Sequence, residues 1–94
     1  MVAYVIARIS VDDPEDYATY ASQTVALAEK AGGKFLAKGG PQVIVEGDAP
    51  DRHVIVEFPS IEDAQAWYQS EDYQKILPIA LRASTRDLII VEGF

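Results

Sequence analysis

The sequence has no cysteine and only one histidine, one tryptophan and one methionine in 94 residues. Without a thiol there is no disulfide, no thiolate metal site and no cysteine nucleophile, and a cytoplasmic location is expected. Basic residues are scarce as well, with 8 Lys and Arg against 15 Asp and Glu and a formal net charge of -7. Sequence-independent binding to nucleic acid or to an anionic membrane needs a basic face, so neither partner is expected. No apolar run approaches the length needed to cross a membrane. Residues 1–9 are apolar, but they lack a basic flank and are followed at once by acids, which reads as a first strand and not a signal peptide. Asp12, Asp13, Glu15 and Asp16 are dense carboxylates that coincide with a helix start and lack the spacing of a calcium loop, so no metal is expected. A single histidine and the lack of a nucleophile motif leave no serine, histidine and acid arrangement to argue for.

What is present is ordinary for a globular chain: 49% hydrophobic and 24% charged residues, one domain over residues 1–94. A chain this short buries only roughly two-thirds of its unfolded surface, so an interface with a second copy would supplement its core.

The organising stretch is 52–73, where a strand (52–58) stops at Pro59, Ser60 caps, and an amphipathic helix carries Trp67 and Tyr68. Val54, Val56 and Phe58 point to one side of that strand and His53, Ile55 and Glu57 to the other. The first strand (2–11) alternates Ala3, Val5, Ala7 and Ile9, small enough to lie beneath a helix, against Val2, Tyr4, Ile6, Arg8 and Ser10. Asp13, Pro14 and the acids after them start a helix with Tyr17, Tyr20, Ala21, Thr24, Leu27, Ala28 and Ala31 on one stripe, which Gly32 and Gly33 stop. A second strand (34–38) is expected to bend or bulge at Gly39-Gly40-Pro41 and resume over 42–46. Ile61, Ala64 and Tyr68 line the helix after Ser60, with Trp67 beside them. Ser70 starts a further helical segment with Tyr73, Ile76, Leu77, Ala80 and Leu81 inward, kinked or divided at Pro78. Residues 85–87 lead into a last strand (88–92) that is apolar on both faces.

Strand, helix, strand, strand, helix, strand is the ferredoxin-like α+β arrangement: a four-stranded antiparallel sheet, first and third strands central, helices on one face. Ile6, Ile55 and one side of the last strand would then form an exposed apolar patch. Two such sheets packed face to face in a homodimer would hide it.

Tyr4-Val5-Ile6-Ala7-Arg8, Asp13-Pro14-Glu15-Asp16-Tyr17, the run 32–40, Glu57-Phe58-Pro59-Ser60 and the run 66–73 together resemble the bacterial "domain of unknown function 1330" family over essentially the whole chain. The resemblance implies a dimeric α/β barrel with ferredoxin-like protomers, and it implies no reaction. Cofactor-independent monooxygenases, muconolactone isomerases, EthD-like proteins and haem-binding chlorite dismutases are similar in architecture alone. The neighbourhood of His53, the one imidazole available, matches no haem motif, and no cofactor is expected.

Tyr4 and Arg8 are expected on the same sheet face as His53 and Glu57, where a phenol, a cation and an acid/base pair could bind a small polar or anionic molecule. In an enzyme carrying out proton transfer or oxygenation without a cofactor, Glu57 or His53 would be the catalytic base, Arg8 would orient an anionic group and Tyr4 would line the site. Arg8 and Glu57 as a structural ion pair is the competing account. Trp67, Tyr68 and Tyr73 form either a ligand-facing aromatic wall or a core seal. Lys38 beside Gly39-Gly40 marks either an anion contact or a bend. The functional expectation is a homodimer that binds a small organic molecule between sheet and helices; the alternative is a non-catalytic dimerisation module.

Overall fold

The computed structural model describes all residues, Met1–Phe94. Strand β1 (Ala3–Val11) leads to helix α1 (Pro14–Lys30), strands β2 (Lys34–Lys38) and β3 (Arg52–Phe58), helices α2 (Ile61–Gln69) and α3 (Glu71–Ala83), and strand β4 (Ser84–Glu92). The helix starts follow from their caps. Asp13 accepts from the Asp16 amide at 3.1 Å with Pro14 in the first turn, and Ser60 accepts from the Asp63 amide at 3.1 Å. Ser70 serves two helices, donating to the Trp67 carbonyl at 2.7 Å and accepting from the Tyr73 amide at 3.2 Å. After α1, Gly32 takes a positive φ, and Gly33 leaves no room for a Cβ, which would lie 2.7 Å from the Phe58 ring.

The sheet order is β2-β3-β1-β4 with every neighbouring pair antiparallel, the ferredoxin-like α+β fold. Ala3, Val5, Ala7 and Ile9 are buried with Val56 and Phe58 against Tyr17, Tyr20, Trp67, Tyr73, Ile76 and Ala80 of the helices. Alternation sends the other residues to the uncovered face. There the pairings place Ile55, Ile6 and Ile89 side by side across three strands, with Tyr4 between Glu57 and Val91 and Arg8 between His53 and Asp87.

Four local expectations are corrected. Residues 42–46 form no strand: Gly39, at φ +68, turns the chain beneath the Arg52 guanidinium, and Pro41 follows. The irregularity in β2 falls between Phe35 and Ala37, not at the glycines. Helix α3 runs through Pro78 without division, because Pro78 is on the solvent side and the carbonyl it leaves unbonded can face water. Leu81 is exposed, since it sits about 100° round the helix from Ala80 at the centre of the buried stripe.

Candidate functional site

The six residues singled out from the sequence fall on opposite sides of the sheet. Tyr4, Arg8, His53 and Glu57 share the uncovered face, Tyr4 directly opposite Glu57 and Arg8 directly opposite His53. Arg8 and Glu57 are therefore four residues apart along the strands, about 13 Å, and do not pair with each other. Across the sheet Arg8 lies opposite Asp87, and Glu57 opposite Lys34. His53 Nδ1 is 2.7 Å from Gln42 Oε1, while Gln42 Nε2 donates to the Pro50 carbonyl at 2.9 Å. With the amide nitrogen so engaged, the oxygen faces the imidazole and accepts from Nδ1–H, and in the neutral ring Nε2 is then an acceptor.

Lys38 and Trp67 meet instead on the covered side, around a cavity of about 30 Å3 between α1 and the sheet. Its walls are mostly apolar, from Val5, Ala7 and Ile9 to Phe35 and Leu88. Its polar lining is unusual in sign. Lys38, Arg52 and Arg86 contribute three cations, and no carboxylate or imidazole lines it, in a chain with nearly twice as many acids as bases. Neither arginine is used in a salt bridge; those that form, Lys30–Asp72 and Arg82–Asp16, lie on the surface.

Arg86 is held from below. Its two terminal nitrogens donate to the Tyr20 hydroxyl at 3.0 Å and the Tyr73 hydroxyl at 2.9 Å, and the two hydroxyls are 2.7 Å apart. The guanidinium also lies over the Tyr20 ring, 5.2 Å from its centre. Burial pushes the Tyr20 pKa up, Tyr73 adds to the effect and Arg86 opposes it, so Tyr20 stays a neutral phenol. Burial works against the charge on Arg86, but the two phenol oxygens outweigh it and raise its pKa. Two phenols carry two hydroxyl hydrogens, and their mutual contact uses one. When Tyr73 donates to Tyr20, the Tyr20 hydrogen is left to a partner in the cavity, which Tyr20 lines.

Two further donors have no acceptor. Arg52 Nε and Trp67 Nε1 are buried without a hydrogen-bond partner, and both residues line the cavity. Trp67 is 4% exposed and stacks between Phe58 and Tyr73, with ring centres 5.4 and 4.4 Å away. Arg52 lies over Tyr17, and Lys38, exposed at the solvent side, reaches the Ala21 carbonyl at 3.3 Å. Tyr17, Tyr20, Arg52 and Arg86 thus line the candidate cavity, and the motif reading passed over them. The available signal was phase: Arg86 alternates with Leu88 and Ile90, so a cation stands where the strand presents its core side. No group of three or more His, Cys, Asp or Glu side chains is brought together, and no helix is long and apolar enough to cross a membrane.

The family described as Domain of unknown function (DUF1330) matches residues 2–94. The chain belongs to that family. No curated protein matches the sequence. Among solved structures, the chain is similar to RPA0582, a protein of unknown function from Rhodopseudomonas palustris, with TM-score 0.77 and 18% identity over 99% of this chain and 82% of that one. It is similar to SnoaB, a cofactor-independent oxygenase from Streptomyces nogalater, with TM-score 0.69 and 13% identity over 99% and 93%. A dimeric ferredoxin-like protein of unknown function from Thermobifida fusca gives TM-score 0.67 and 16% identity over 99% and 92%. At these identities the DUF1330 chain shares their fold, and nothing about chemistry passes with it.

Proposed function

We propose that the chain binds a small organic anion with a flat apolar body in the cavity between α1 and the sheet. The observation that carries this reading is Arg86, a guanidinium inside an apolar wall with two phenols and no carboxylate beside it. Arg86 is half-buried, and a charge partly withdrawn from water without a counter-ion is costly, a cost that an anionic ligand would offset. Arg86 would take the anionic group, Tyr20 and the Trp67 indole would donate to it, and the aromatic walls would hold the apolar body. At about 30 Å3 the space holds a water or two, so entry requires the long side chains of Lys38 and Arg52 to swing away from the opening.

Calorimetric titration with salicylate as the probe tests the reading. Arg86→Gln should weaken binding about tenfold or more, as expected for loss of a charge-assisted hydrogen bond. Arg8→Ala, on the other sheet face, should leave it unchanged; equal affinity in both variants would remove Arg86 from the site.

The same reading includes a homodimer, two copies packing their uncovered sheet faces so that the Ile55, Ile6 and Ile89 row is buried. A second reading places catalysis on the uncovered face, with Tyr4 and Arg8 holding a ligand and His53 or Glu57 as base. The free His53 Nε2 favours it, and loss of turnover in His53→Gln with Arg86→Gln active would select it.

A further inference from the structure

The cations of the cavity are not gathered at one point. Arg52 and Arg86 stand in one cross-strand rung, each opposite Ile9 of the central strand β1, Arg52 from β3 on one side and Arg86 from β4 on the other. Their Cα atoms are therefore two strand spacings apart, about 10 Å. Lys38 is opposite Val54, two residues along from Arg52, and belongs to the Arg52 end as a diagonal neighbour. Above the rung lie Tyr17 and Tyr20 of α1, ring centres 5.3 Å apart, with the Arg52 guanidinium 5.5 Å from the first ring and that of Arg86 5.2 Å from the second. The result is an apolar slot, with Ile9 as its floor and two phenol rings as its roof, that has a guanidinium at each end.

The two ends are unequally provided for. Arg86 rests on the Tyr20 and Tyr73 hydroxyls. Arg52 has nothing comparable: its Nε is shielded from water without a hydrogen-bond partner, and no salt bridge reaches it. Its guanidinium packs on the backbone of Gly39, where a Cβ would collide with it, so its place at the mouth is fixed by the absence of a side chain there. Lys38 has only the Ala21 carbonyl, at 3.3 Å, an oxygen that the Thr24 hydroxyl already uses at 2.9 Å. An anionic group on Arg86 alone leaves this second end without a counter-ion.

We propose that the ligand is a dianion, a dicarboxylate whose two carboxylates stand at opposite ends of a flat apolar body, one on Arg86 and the other on Arg52 with Lys38. The inference rests on the binding reading given above and names the ligand class for that cavity. The unpartnered Arg52 Nε and a terminal nitrogen of the same guanidinium form the fork that a carboxylate meets with two parallel hydrogen bonds. Lys38 and Arg52, which swing aside to admit the ligand, then close on its second carboxylate, so the same side chains serve entry and retention. With both carboxylates in place each guanidinium has a counter-ion, and the remaining cation is Lys38, which is exposed and hydrated. A phosphate, which carries both charges at one point, does not match this arrangement, because the guanidiniums stand on either side of Ile9 and do not converge.

Calorimetric titration of the parent chain with terephthalate, with its monomethyl ester and with salicylate tests the inference. Terephthalate should bind about tenfold or more tighter than the ester, which keeps the shape and one carboxylate, as expected for a second charge-assisted contact. Phenyl phosphate, with both charges at one end, should bind no more tightly than the ester. Arg52→Gln should remove most of the preference for terephthalate, and Arg86→Gln should weaken all three carboxylates. The comparison of diacid and ester needs no variant, so it stands even where Arg52→Gln fails to fold. Salicylate binding that depends on Arg86, together with equal affinity for terephthalate and its ester, overturns the dianion and leaves the anion site standing. A preference for terephthalate that survives Arg52→Gln, or phenyl phosphate binding tighter than terephthalate, overturns it in the same way. No binding of any of the three carboxylates, or affinities indifferent to Arg86→Gln, overturns the binding reading and this inference together.

Discussion

At the scale of single residues, Arg86 and Tyr20 set the character of the cavity. Each satisfies the other: the phenol oxygens accept from a cation that has no carboxylate, and the cation lies over a ring that burial has made reluctant to ionise. The consequence is a pH dependence on the alkaline side. The folded chain keeps the Tyr20 proton to higher pH than the unfolded chain, so the stability tied to it is fully present below the ordinary value of 10.0 and is lost as pH rises above it. Tyr17 shifts the same way through burial. The melting temperature should therefore fall steadily as pH rises past about 10, and Tyr20→Phe should flatten that fall relative to its own neutral-pH value; an unchanged slope would show that Tyr20 ionises freely. None of the partners of Tyr20 was visible from its sequence position. The helical stripe marks it as buried, but only the fold brings Tyr73, 53 positions away, and Arg86 to its hydroxyl.

At the scale of elements, the caps were readable and the strand irregularities were not. Ser70 ends one helix and starts the next, so its hydroxyl holds both Trp67 and Tyr73, a cavity wall and a hydroxyl that supports Arg86. Ser70→Ala should cost about 1 kcal/mol in denaturant unfolding, within the range for loss of a helix cap. A loss near zero would mean that water or a neighbouring group takes over the cap. Helices α1 and α3 are fastened at both ends, Asp16 with Arg82 and Lys30 with Asp72, an antiparallel arrangement whose ion pairs suit the helix dipoles. Arg82 and Lys30 hold the carboxyls of Asp16 and Asp72 below their ordinary value, but the pairs are exposed and screened, and they orient the helices more than they stabilise them. The bulge between Phe35 and Ala37 has no counterpart in the local pattern, because it is set by which β3 residues stand opposite.

At the scale of the whole molecule, one sheet face is covered by helices and the other is not. Ile55, Ile6 and Ile89 run across three adjacent strands of the open side, and a row of that kind is characteristic of an interaction surface. Ile55→Asp should convert a dimer to a monomer by light scattering, because the assembly would bury an unpaired charge next to two isoleucines. An unchanged dimer mass would mean that the copies meet by another surface. The same variant should leave salicylate binding intact where the cavity of one protomer is sufficient.

The amino-acid order alone determined the succession of strands and helices, the side of β1 and β3 that meets the helices, and the existence of an apolar face left over. These depend on alternation and on caps, whose physics acts over a few residues. The position of the pocket depended on tertiary structure. Register separates Arg8 from Glu57 by four residues, and the path of β4 carries Arg86 across to Tyr20 and Tyr73 on two different helices. A cavity lined from six separate elements has no local spacing to announce it, and the chain must fold before its cations face the same space.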